Sequence, residues 1–288
     1  MHNLEAIGWL AGGAMALEQR FGLELRQQLT TNGLASMGIT RVQVPVDGPQ
    51  EVHDARRRLP DGEGTWAVIM GNIERASEVL RISVRVNVDE HNYSRVPEFL
   101  DYLTTSNIRS RIQLLYVSPI QPTARPLLDW NQYVWDPDTK AHRLASLWHE
   151  MHARGYPVEV FPEYMPCGAI YLSASVVGPS GQVFPCVGLA GCSLLSKGDG
   201  NGKPPSSQYV AIMMNLEPWE RCKQCAFVPV CGGGCRWLAL VTRQDHTAWL
   251  CEFPFFQKAY PQFLNDRFSR ERLLKDLSAA DRPPVHIL

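Results

Sequence analysis

Four of the eight cysteines in this 288-residue chain lie in one short stretch, CKQCAFVPVCGGGCRW (222–237). Cys222, Cys225, Cys231 and Cys235 form a Cys-x2-Cys-x5-Cys-x3-Cys run. Zinc takes four thiolates tetrahedrally, and a Cys-x2-Cys knuckle is one usual half of such a site. The other half is normally a second knuckle 15–20 residues away, and the sequence has none there. Iron–sulfur clusters also take thiolates, and in two-cluster proteins a single run can serve both clusters. Gly232, Gly233 and Gly234 suit that second chemistry, because glycines let the backbone approach a bulky cluster and offer N–H groups to its sulfurs. The alternative reading of the glycines is a simple turn. The other cysteines are Cys167, Cys186, Cys192 and Cys251, and none precedes Cys167. An even cysteine count suggests disulfides in a small secreted chain. This chain is large, and its apolar N-terminal stretch lacks the basic start of a signal peptide, so crowded cysteines point to metal and to a cytoplasmic protein.

Taken together, the cysteines read Cys167-x13-Gly181-x4-Cys186, a gap, the central run, a second gap, and Cys251. With GPSGQVFPC (178–186) and FVPVCGGGC (227–235), this spacing resembles the SPASM domain, the two-cluster extension of radical S-adenosylmethionine (SAM) enzymes that modify peptides and proteins. The resemblance implies two 4Fe–4S clusters. It assigns Cys222, Cys225, Cys231 and Cys251 to one, and Cys167, Cys186 and Cys235 to the other. Some relatives complete the latter with a cysteine six residues before Cys167, where this chain has Phe161. Either one iron stays open or Cys192 completes the set. Sulfatase-maturing relatives carry an aspartate base directly after the cysteine matching Cys186; Val187 stands there, which disfavours that activity.

The resemblance extends upstream. TTNG (30–33), VQVPVDGPQEVHDARR (42–57), GEGTW (62–66) and RVNVDEHN (85–92) are similar to the later strands of a radical SAM partial barrel. It implies that Asn32, Arg57 and Asn87 approach SAM; the alternative for Arg57 is an ordinary surface arginine. The superfamily's Cys-x3-Cys-x2-Cys loop, which holds the SAM-cleaving cluster, has no counterpart in the sequence. The expectation is therefore an N-terminally incomplete member of the family that does not itself cleave SAM. Two further readings stand beside it: a noncatalytic cluster module that binds peptide or passes electrons, with an electron donor or a partner bearing the SAM site, and a zinc-stabilised domain.

The elements that must position these residues follow from patterning. Residues 5–22 read as a helix and LELRQQLTT as a strand running into Asn32-Gly33. TRVQVPV (40–46), ISVRVNVD (82–89) and RIQLLYVSPI (111–120) read as strands, whereas 64–80, 93–106 and 142–155 have helical spacing. Strand–helix alternation predicts parallel pairing in an α/β architecture. The six residues between Gly33 and Thr40 are too few for a helical crossover, which predicts a lost helix in the core. Residues 121–140 are proline-rich and read as loop. The expected fold is α/β: a partial (β/α) barrel remnant of the radical SAM type (1–160), a cysteine-rich α+β SPASM domain (161–256), and a charged helical tail (257–288). A net charge of −1 argues against nucleic acid, and no apolar run approaches the roughly 20 residues of a membrane span. A peptide or protein substrate is the partner the resemblance implies.

Overall fold

The computed structural model describes residues 28–30, 41–120, 135–156, 158, 175–178, 181–199, 202, 204–207, 209–210, 220–235 and 251–277. The N-terminal helix expected at 5–22, Asn32, Phe161 and Cys167 lie outside them. The chain divides into two compact units. One comprises Met1–Ser118, Ser146–Val158 and Asn265–Leu288; the other comprises Pro119–Ala145 and Glu159–Leu264.

The first unit is built on a four-stranded sheet, β1 (Gln28–Thr30), β2 (Arg41–Pro45), β3 (Arg81–Val88) and β4 (Ile112–Pro119), in spatial order β1-β2-β3-β4. β1 pairs parallel with β2, and β2 with β3. The crossover between β1 and β2 falls on residues 31–40, so the expected loss of a helix there lies outside the described residues.

Period-two patterning sets the two faces of this sheet. Ile82, Val84, Val86 and Val88 of β3 are all buried, as are Val42 and Val44 of β2. Val42 lies opposite Ile82 and Val44 opposite Val84, so the valines form one continuous apolar face. Gln43, Ser83, Arg85 and Asn87 occupy the alternate positions and line the other face. In β4, Leu115 and Val117 are buried, while Tyr116 and Ser118 bond to Gln43 and Arg85 on the polar face.

Short helices connect the strands: α1 (Gln50–Arg56), α2 (Trp66–Ala76) and α3 (Val96–Thr105). α3 buries Val96, Phe99, Leu100 and Leu103, an i, i+3, i+4, i+7 stripe, and α2 buries Ile69, Met70 and Ile73. Burying each such side chain contributes roughly 1.5–3 kcal/mol. α1 was not anticipated, because it buries only His53 and so carries no apolar period.

The fourth helix, α4 (Pro137–Ala153), begins within the stretch read as loop. Asp136 accepts hydrogen bonds from the N–H groups of Asp138 (2.9 Å) and Thr139 (3.0 Å), and proline occupies the first turn, where its missing N–H costs nothing. Proline marks a helix start here rather than a loop.

In the second unit, β5 (Val176–Val177), β6 (Gln182–Phe184) and β7 (Gly198–Asp199) form a small antiparallel sheet in that order. The short helix α5 (Val228–Cys231) lies inside the cysteine run. α6 (Phe253–Leu277) starts four residues before the expected tail and carries Pro261 within it. Among the described residues, no helix is long and apolar enough to cross a membrane.

Candidate cluster and cofactor sites

The cysteine run is held by its neighbours. The ring of Phe227, between Cys225 and Cys231, stacks on Phe256 with centroids 5.4 Å apart. It also meets Phe253 and Tyr260 edge-on at 5.6 and 5.9 Å. These aromatics open α6 directly after Cys251, so the run is pinned beside that cysteine. Backbone turns tighten it further: Cys225 N–H donates to the Cys222 carbonyl (2.9 Å) and Cys231 N–H to the Phe227 carbonyl (2.7 Å).

The three glycines are required by the backbone. Gly232, Gly233 and Gly234 have φ of 64°, 85° and 81°, a left-handed run that residues with a Cβ adopt only at a cost. In this path the N–H groups of Gly233 and Gly234 point at the Cys231 sulfur, the arrangement that stabilises a thiolate ligand. Without a metal, burial wins and holds the Cys231 thiol above its ordinary pKa; the negative groups of Glu252 and Cys222 nearby add to the shift.

The described cysteines fall into two neighbourhoods. Cys231 lies within electrostatic reach of Cys222 and of Glu252, the residue after Cys251. Cys186, Cys192 and Cys235 instead pack around a small apolar cluster of Leu189 and Leu195. Cys231 and Cys235, only four positions apart, thus face different surroundings. Among the described residues, no three Cys, His, Asp or Glu side chains converge as one metal ion needs. Thiolates on one zinc sit about 2.3 Å from it and crowd together, whereas a cluster places each thiolate on a separate iron. The donor set, all thiolate and backed by N–H donors, fits iron–sulfur clusters. Val187, directly after Cys186, is exposed on a turn.

A second constellation lies at the ends of β2 and β3. Its centre is Asp47, which the sequence reading took as part of a turn; the structure buries its side chain almost fully. Arg57 Nε donates to one carboxylate oxygen at 2.8 Å and Nη2 to the other at 3.4 Å, and Asn87 Nδ2 adds a third bond at 3.2 Å. Arg57 and Asn87 thus meet on the same carboxylate. Asn92, also buried, donates to the Asp47 and Asn87 carbonyls, tying the two strand ends together. Arg56 pairs with buried Asp89 at 2.6 Å.

His53 completes the frame. Its Nδ1 accepts the Asp47 N–H (3.1 Å), which leaves Nε2–H to donate to Thr65 Oγ1 (3.0 Å). The Thr65 hydroxyl in turn donates to the Arg57 carbonyl (2.9 Å). Burial, outweighing nearby Asp47, pushes the imidazole pKa down, so His53 is the neutral Nε2–H tautomer. The adjacent Asp54 accepts the Trp66 N–H (2.8 Å) at the start of α2. The sequence signal for this network was the His-Asp-x-x-Arg spelling of 53–57; the buried aspartate could have been sought at the Asp-Gly-Pro that ends β2.

Solved structures share this architecture. The chain superposes on anSMEcpe with bound AdoMet at a TM-score of 0.61 and 19% identity, covering 89% of this chain and 80% of that one. A second anSMEcpe structure, with AdoMet and the Kp18Cys peptide, gives 0.59 and 18%, covering 90% and 81%. The fold is of the radical SAM type. SuiB of Streptococcus suis bound to S-adenosylmethionine also matches, at a TM-score of 0.53 and 14% identity, with 84% of this chain spanning 62% of SuiB. No family model matches the sequence, and neither does any curated protein. The resemblance read from TTNG, VQVPVDGPQEVHDARR, GEGTW and RVNVDEHN therefore holds at the level of the fold.

Proposed function

We propose that this chain is an iron–sulfur protein of the radical SAM/SPASM family that engages a peptide or protein. Cys222, Cys225, Cys231 and Cys251 hold one 4Fe–4S cluster, and Cys167, Cys186 and Cys235 hold the other. The supporting observation is the separation of Cys231 from Cys235 within a radical SAM-type fold. Such clusters supply electron transfer or a binding iron when present. The chain contributes thiolates, N–H donors from Gly233 and Gly234, and the aromatic clamp around Phe227.

Asp47 is a positioning residue in this reading. It holds Arg57 and Asn87 at the strand ends and leaves the rest of the Arg57 guanidinium, about a third exposed, to meet SAM. The sequence resemblance adds Asn32, which lies outside the described residues, as a further SAM contact. Neighbours of the same fold carry SAM and, in anSMEcpe and SuiB, the Kp18Cys and SuiA peptides, which supports both ligands here.

The second reading, a noncatalytic module that serves through its auxiliary clusters, draws on one observation: no cysteine precedes Cys167. Assay under strong reductant tests whether the chain alone cleaves SAM. We expect no 5′-deoxyadenosine from SAM with this chain alone; multiple turnovers in the absence of any partner would overturn that expectation.

A further inference from the structure

The polar face of the sheet carries a cation with no anion. Arg85 of β3 donates from Nη2 to Ser118 Oγ at 3.1 Å and lies close enough to the Tyr116 hydroxyl to bond it. Tyr116 in turn reaches across β3 to donate to buried Gln43. Arg85 Nε is buried and has no hydrogen-bond partner, and Arg85 has no ion pair among the described residues. The buried carboxylate at the end of β2, Asp47, is spent on Arg57 and Asn87.

A half-buried guanidinium surrounded by hydroxyls and an amide is costly, because water is partly excluded and no charge compensates it. The planar fork matches a carboxylate, and a single cation suits one negative charge better than a phosphate dianion. We propose that Arg85, with Ser118 and Tyr116, forms a carboxylate-binding subsite on the polar face of the sheet, distinct from the Asp47–Arg57–Asn87 cluster. Arg85 lies two residues before Asn87 on the same face, about 6.6 Å deeper along the strand. The subsite rests on the reading of this face as the ligand face of a radical SAM-type fold. The carboxylate comes either from an acidic peptide residue or from the methionine end of SAM.

Two binding arms on the anaerobically reconstituted full chain separate these sources. In the first, fluorescent pools of random nonapeptides with a fixed central glutamate are compared with pools carrying glutamine there. In the second, SAM is compared with decarboxylated SAM by calorimetry. The wild-type protein should prefer the carboxylate-bearing probe in one arm on the order of tenfold, as for one charge-assisted pair. Arg85→Gln should bring that ratio to about one, Arg85→Lys should keep part of it, and Tyr116→Phe, which leaves the charge, should keep most. Equal binding of both probes in both arms would overturn the subsite, as would a preference that survives in Arg85→Gln protein of native circular dichroism. Iron content is measured on the same samples. Loss of the clusters would count against the proposed function, whereas the carboxylate ratios report on Arg85 alone.

Discussion

At the residue scale, the buried carboxylates and His53 set the chemistry of the strand ends. Asp89 is almost fully buried against Arg56, so Arg56→Ala strands an unpaired charge and should destabilise the protein by about 3 kcal/mol, read from chemical denaturation. His53 makes the protein acid-sensitive in a defined direction. Its folded pKa is depressed, so the unfolded chain binds a proton that the folded chain refuses. The stability His53 contributes is complete above the unfolded pKa of about 6.5 and is lost as pH falls from there through the folded value. Thermal melts of wild type and His53→Gln between pH 7.5 and 5 should converge on acidification; parallel curves would contradict the neutral assignment. The cysteines give a sharper test. Cys235→Ala should damage the cluster of Cys167 and Cys186 and spare that of Cys222, Cys225 and Cys251, and Cys231→Ala should do the reverse. Paramagnetic spectra that change identically in the two variants would contradict the division.

At the scale of elements, local patterning carried most of the information. The valines of β3 and the Val96–Phe99–Leu100–Leu103 stripe of α3 each have one period and one buried face, and both elements lie where the pattern puts them. Elements defined by hydrogen bonds rather than by burial were less legible. α1 is fixed by His53 reaching back to the Asp47 N–H, and α4 starts on the Asp136 cap, neither of which leaves an apolar period. Asp136→Ala should cost about 1 kcal/mol, measurable as a drop in the unfolding midpoint. Asp47 was missed for a related reason: an Asp-Gly-Pro reads as a turn, and only the fold shows three donors converging on the carboxylate. The glycine run was legible as a stretch of special backbone conformation. Gly233→Ala puts a Cβ at φ +85° and should cost roughly 1–2 kcal/mol while displacing the N–H groups aimed at Cys231.

At the scale of the whole molecule, two compact units divide the work: a sheet with one apolar and one polar face, and a cysteine-rich unit of short strands and turns. Composition and charge set only a near-neutral class; the fold was read from alternation, and the proposed chemistry from cysteine spacing. The central claim is that this spacing serves two iron–sulfur clusters rather than one zinc ion, and metal analysis tests it most directly. Anaerobically reconstituted, desalted protein should carry about eight irons and a matching amount of acid-labile sulfide per chain. One zinc per chain with no sulfide would contradict the account.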